Sequence, residues 1–169
     1  MARGSSQRLA MAGEPPITDM QQLMASVGSV MLHWCHLEDA LTDTIRRLRT
    51  VSEGSANLIR VRGTFNDRLS EWRGLLSQKT RRNPEMAEIV ADLANEMEHL
   101  RGMRNRIAHN LAGADTSRQD GAPPYIWCAE RESSNPGIEP HRITLADLRE
   151  MIEAMDRCRS RLRSIGLQG

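Results

Sequence analysis

Apolar residues recur at every third or fourth position from Met20 to Leu48, through Leu23, Met24, Val27, Val30, Met31, Trp34, Leu37, Leu41 and Ile45. A helix of 3.6 residues per turn gathers that spacing on one face, whereas a strand would scatter it over both. The stripe predicts one long helix over about residues 18–50. "TDMQ" opens it, with Thr18 placed to cap the first turn and Gln21 to reach back. A helix of this length outruns a small bundle, so one end is expected to pack on a second copy.

Three further stripes follow. "SEGS" breaks the first helix, and Ser55 opens a pattern through Leu58, Ile59, Val61, Phe65, Leu69, Trp72, Leu75 and Leu76, which predicts a helix over 55–79. Gly63 and Gly74 weaken it or admit a close neighbour. "NPEM" supplies Asn83 as cap and Pro84 at the first helical position. The stripe Met86, Ile89, Val90, Leu93, Met97, Leu100, Met103 and Ile107 then predicts a helix over 84–109. "TLAD" caps a last helix over 144–165 carrying Leu145, Leu148, Met151, Ile152, Met155, Cys158 and Leu162, with Gly166 as its stop. Between the third and fourth stripes the texture changes. "AGADTSRQDGAPP" reads as a loop, "YIWCAE" as a short strand, "SSNPG" as a turn and "IEPHRI" as an edge strand. The fold class is therefore all-α: a four-helix bundle with a long first helix and a loop or short β-hairpin insert between helices 3 and 4. Residues 1–16, rich in Gly, Ser, Ala and Pro, read as a loose leader, and 17–169 as a single domain.

Hydrophobic residues make up 39% of the chain, below the globular norm, which favours burial of extra surface by pairing; a homodimer is expected. The net charge of +1 excludes a strong global field, so any anion preference must be local. Of the basic residues only Lys79 is lysine. Guanidinium forks suit phosphate, but an arginine-favouring genome gives the same composition. Cys35, Cys128 and Cys158 are an odd number at wide spacing, which implies no disulfide framework and fits a reducing, cytoplasmic setting. "MARGSSQRLAMAGEPP" lacks the apolar centre of a signal peptide, and no apolar run is long enough for a membrane span. Aromatic residues are only 3%, so a broad base-stacking surface is not expected; Tyr125 and Trp127 in the insert stand apart.

The chemistry-bearing stretch is "LRGMRNRIAHN", Leu100 to Asn110. At roughly 100° per residue, Leu100, Met103 and Ile107 face the core. Arg104 lies at the boundary, and Arg101, Asn105 and His109 form a polar band beside the small Ala108. A bulky ligand or a second subunit could approach there. An imidazole with an intrinsic pKa of about 6.5 can exchange protons at neutral pH. An arginine can hold a phosphate and stabilise the charge that builds on it. Asn105 could orient either the imidazole or a ribose hydroxyl. Together they suffice for metal-independent RNA cleavage by 2′-OH attack on the adjacent phosphate. The same composition is also a plain dipole-complementing helix terminus.

"RNRIAH", Arg104 to His109, resembles the Arg-x4-His signature of the HEPN superfamily, with the polar residue Asn105 directly after the arginine. Its place at the end of the third helix also matches. "WCHLEDAL", with Trp34, Leu37, Glu38 and Leu41, is similar to the W-x-x-L-E-x-x-L texture of some branches. The resemblance spans about residues 18–165. It implies a compact helical homodimer whose two motifs face a shared cleft. Many such proteins are metal-independent endoribonucleases in toxin–antitoxin, phage-defence or RNA-processing systems, with an antitoxin or defence protein as partner. Others are non-catalytic modules for RNA binding or protein assembly. Carried over by position, Arg104 and His109 are the catalytic candidates. Asn105 is accessory, and Arg101 and Glu38 are its neighbours in that role. No metal or other cofactor is implied. The chain departs from toxin members that continue His-x-Tyr, since His109 is followed by Asn110 and Leu111, so a tyrosine modification is not expected.

Other clusters have plainer readings. "HWCH" offers His33, Cys35 and His36, but Cys35 diverges from the two histidines on a helix and no fourth ligand is evident. Glu38 and Asp39 could pair with Arg104 or Arg101 across helices, or simply be solvated. "QKTRRNP" and "DRCRSRLRS" could track a phosphate backbone, yet each also fits an ordinary charged face.

Overall fold

The computed structural model describes residues 18–53, 61, 63–117, 121–129 and 140–167. Four helices carry the chain: α1 Asp19–Glu53, α2 Phe65–Thr80, α3 Pro84–Asn110 and α4 Leu145–Leu167. Between α3 and α4 lie three strands, β1 Leu111–Asp115, β2 Tyr125–Cys128 and β3 His141–Thr144, paired antiparallel in that order. The protein is a four-helix bundle with a small β insert between helices 3 and 4. The expected leader over 1–16 lies outside the described residues.

Cross-helix pairs give the directions. Trp34 meets Phe65, Glu38 meets Arg68 and Arg49 meets Glu71, so α1 and α2 run the same way. Asn66 pairs with Arg101 and Arg73 with Glu98, so α3 runs against α2. His33 meets Asp156 and Thr44 meets Leu162, which sets α4 parallel to α1. The four stripes meet in one core, including Leu37, Leu41, Leu69, Trp72, Leu93, Met97, Leu148 and Leu162. Three members of the first and third stripes do not join it: Met20 is 41% exposed, Met24 40% and Ile89 37%.

Local chemistry sets the boundaries. Thr18 and Gln21 exchange hydrogen bonds at the start of α1. Asn83 accepts from the Met86 N–H, with Pro84 opening α3. Thr144 and Asp147 form a reciprocal cap on α4. That helix continues through Gly166 to Leu167, so the expected glycine stop is not used.

The second helix departs further from expectation. It begins at Phe65 rather than near Ser55, and Ser55, Leu58 and Ile59 lie outside the described residues. Gly63, at φ 112°, takes a left-handed conformation that no helix interior tolerates. Thr64 then caps through a reciprocal pair, Asp67 N–H to Thr64 Oγ1 and Thr64 N–H to Asp67 Oδ2. Gly74 has open space beside it instead of a close neighbour.

These bonds hold the Asp67 carboxyl below the usual carboxylate range. A depressed folded-state pKa stabilises the protein above the ordinary value of about 4. That contribution fades as pH falls through the folded value. Thr64→Ala should cost about 1 kcal/mol in urea unfolding at neutral pH. The gap between parent and Asp67→Asn should narrow on acidification. A gap that widened in acid would reject the cap as its source.

The insert holds a sheet one strand larger than expected. β1 arises from "LAGAD", read from sequence as part of the loop. Its register is irregular between Leu111 and Gly113. Ile126, Cys128 and Ile143 face inward and are buried. The sheet packs against the end of α3 and the start of α4.

Candidate functional site

The last three turns of α3 place the motif where the helix ends and β1 begins. Leu100 and Ile107 are buried and anchor its inner face. Arg104 is half-buried, and its guanidinium carbon sits 5.9 Å from the centroid of the Trp34 ring. Trp34 is itself held by Phe65, with ring centroids 4.8 Å apart. Arg104 Nη1 donates to Asn105 Oδ1 at 3.1 Å. Its Nε–H is buried and has no acceptor among the described residues. Arg49, Arg68 and Arg161, which also reach between helices, all close on carboxylates. Arg104 closes on none among the described residues, so its fork keeps donors to spare.

His109 lies in the last turn of α3, exposed, and accepts or donates no hydrogen bond among the described residues. Five residues at roughly 100° each turn it about 140° from Arg104 around the helix. Arg104 and Asn105 are thus brought together, whereas His109 stands apart from Arg104 within one copy. Ala108 between them is exposed.

The accessory residues are distributed differently from the sequence expectation. Arg101 Nη1 donates to Asn66 Oδ1 at 2.6 Å. Glu38 pairs with Arg68 at 3.0 Å instead of with Arg104 or Arg101, and Arg68 also bonds Thr42. Its role is to dock α2 on α1, one turn from Trp34. Sequence reasoning missed Trp34 as the ring beneath Arg104, although the boundary position of Arg104 on the core side was the available signal. Asn66 carried no such signal, because residue 66 was placed inside a helix rather than at its first turn.

Other candidates resolve into structural contacts. His33 Nδ1 lies 3.1 Å from Asp156 Oδ1, and its ring centroid is 6.2 Å from that of His36. Among the described residues no group of three or more His, Cys, Asp or Glu side chains could hold a metal ion. Burial pushes the Cys158 thiol up to about 12, with Glu96 adding to it, and burial also raises Cys128. Neither is a thiolate nucleophile at neutral pH. In the basic run of α4, Arg159 pairs with Asp156 and Arg161 with Glu96. A cleft of about 360 Å³ opens between α1 and α4, lined by His36, Asp39, Arg47, Arg159 and Arg163 among others. None of the motif residues lines it; its α1 wall carries Asp39 and Asp43 beside Arg47, and its α4 wall Arg159 and Arg163. Among the described residues, no helix is long and apolar enough to cross a membrane.

No protein-family model, curated protein or solved structure matches the chain.

Proposed function

We propose that this protein is a metal-independent endoribonuclease of the HEPN type, cutting RNA with Arg104 and His109, and that it works as a homodimer. The observation that carries the reading is Arg104. A half-buried guanidinium with no carboxylate partner among the described residues, laid on Trp34 and steadied by Asn105, is poised to take a phosphate. An exposed imidazole five residues on can move protons at the attacking 2′-OH or the leaving 5′-oxygen. Attack by the ribose's own oxygen forms a 2′,3′-cyclic phosphate and releases a 5′-hydroxyl. DNA, without that oxygen, is not a substrate.

The 140° between Arg104 and His109 supports a dimeric site, in which one copy's arginine and its partner's histidine share a phosphate. Exposed apolar side chains also favour pairing. Met20 and Met24 extend an apolar line of α1 past the level where α2 begins, and Leu111 follows the motif directly. Sedimentation at micromolar concentration should give a dimer, and a monomer would remove the shared cleft. An antitoxin or defence protein is a further partner that this reading accommodates. A cytoplasmic location follows from an RNA substrate and unpaired cysteines.

The deciding experiment incubates purified protein with mixed RNA in EDTA. Cleavage leaving cyclic-phosphate ends is expected. A second reading, a non-catalytic RNA-binding or assembly module, is favoured by His109 itself, which has no hydrogen-bond partner among the described residues to orient its ring. RNA bound but uncut would select it.

A further inference from the structure

The chain has few aromatic rings, and Trp34, Phe65 and Trp72 are consumed by the core. The remaining two, Tyr125 and Trp127, both stand on the outward side of β2, because strand alternation turns Ile126 and Cys128 inward. Their cross-strand neighbours complete a built surface. Trp127 is opposite Gly113 on β1 and Arg142 on β3; Tyr125 is opposite Asp115 and Thr144. Gly113 is the residue this arrangement requires. A Cβ there would stand 2.8 Å from Cε2 and Nε1 of Trp127, so the indole lies directly on the strand. Tyr125 is fixed at both ends: its hydroxyl donates to Asp115 Oδ2 at 3.2 Å, and the Arg142 guanidinium lies 5.0 Å from its ring centroid. Arg142 is exposed and has no carboxylate within ion-pair distance among the described residues.

We propose that this face, Tyr125, Trp127 and Arg142, is a stacking platform for the unpaired bases of single-stranded RNA. Rings held in place lose little freedom on binding, and a base presents a π-face whatever its identity. The Arg142 guanidinium, over the Tyr125 ring and without a carboxylate in ion-pair distance among the described residues, can hold the adjoining phosphate. The platform is also close to the motif. Gly113, beneath Trp127, is four residues from His109, a chain distance of at most about 14 Å. A short strand stacked here would therefore lead toward the end of α3. The identity of the ligand rests on the ribonuclease reading above.

The test uses the full chain and a 2′-O-methylated uridine hexamer, which lacks the nucleophile and is not turned over. Trp34 and Trp72 are buried, so quenching by a stacked base reports Trp127. Saturable quenching is expected with the hexamer and none with its abasic counterpart. Trp127→Leu should weaken hexamer binding, read by anisotropy, by roughly 5- to 150-fold. Trp127→Phe should restore most of it. Arg142→Gln should flatten the salt dependence by about 0.7 in slope. Binding without quenching, no hexamer binding at all, or a folded Trp127→Leu that binds like the parent would overturn the platform. His109-dependent cleavage unchanged in Trp127→Leu would overturn it while leaving the ribonuclease reading intact. Quenching by a parent protein that cuts no RNA would do the reverse.

Discussion

Replacing His109 with alanine is expected to lower RNA cleavage by roughly 10²–10⁴-fold, the usual worth of a positioned acid–base group. The fold should not notice. His109 is exposed at a helix end and has no hydrogen-bond partner among the described residues, so its removal leaves neither a cavity nor an orphaned donor. Circular dichroism and urea midpoints should therefore match the parent. Arg104→Lys should be harmful for a different reason. A lysine keeps the charge but cannot stay over the Trp34 ring, bond Asn105 and present a second N–H pair to phosphate at once. The loss should fall on kcat more than on KM if the fork acts on charge developing in the transition state. Equal cleavage by His109→Ala and parent would reduce the motif to a helix terminus. Equal RNA binding by both, with neither cutting, would move the assignment to the binding module.

What the sequence made legible was what depends on periodicity and local chemistry. Apolar residues at helical spacing located α1, α3 and α4 to within a few residues, because caps at Thr18, Asn83 and Thr144 are short-range hydrogen-bond patterns. The start of α2 was missed because Leu58, Ile59 and Val61 continue a plausible stripe. The break lies in the backbone conformation of Gly63, followed by a cap at Thr64 as good as any at Ser55. β1 was missed because "LAGAD" has neither alternation nor β-branched residues; Gly113 is there to seat Trp127, a partner fourteen residues away in sequence. The candidate site divides the same way. The order of Arg101, Arg104, Asn105 and His109 around α3 follows from helix geometry alone. The pairing of Glu38 with Arg68 follows from the parallel course of α1 and α2, and that of Arg104 with Trp34 from the packing of α3 on α1; no local pattern encodes either.

The largest stability loss should come from Trp72→Ala, at roughly 3–5 kcal/mol in urea unfolding. Trp72 is wholly buried in the middle of α2, so truncation removes one of the two tryptophans of the core and leaves a void that rigid helices cannot close. A domain of this kind has about 5–15 kcal/mol in total, so the variant would sit near the edge of folding. Leu93→Ala, buried on α3, should cost somewhat less, roughly 2–5 kcal/mol. Trp72→Phe separates volume from polarity. The indole N–H is buried without an acceptor among the described residues, and such a donor carries its own penalty of about 1–3 kcal/mol. Phenylalanine deletes that donor while keeping most of the packing, so its cost should be well below that of alanine. If Trp72→Phe were as damaging as Trp72→Ala, the indole N–H would have to be satisfied and the packing account of this position would be wrong. The pair also isolates structure from chemistry. α2 carries Phe65, which holds Trp34 beneath Arg104, so loosening α2 reaches the motif through that stack. Under conditions where Trp72→Ala remains folded, its cleavage per folded molecule should fall far less than that of His109→Ala, because Arg104 and His109 are both still present.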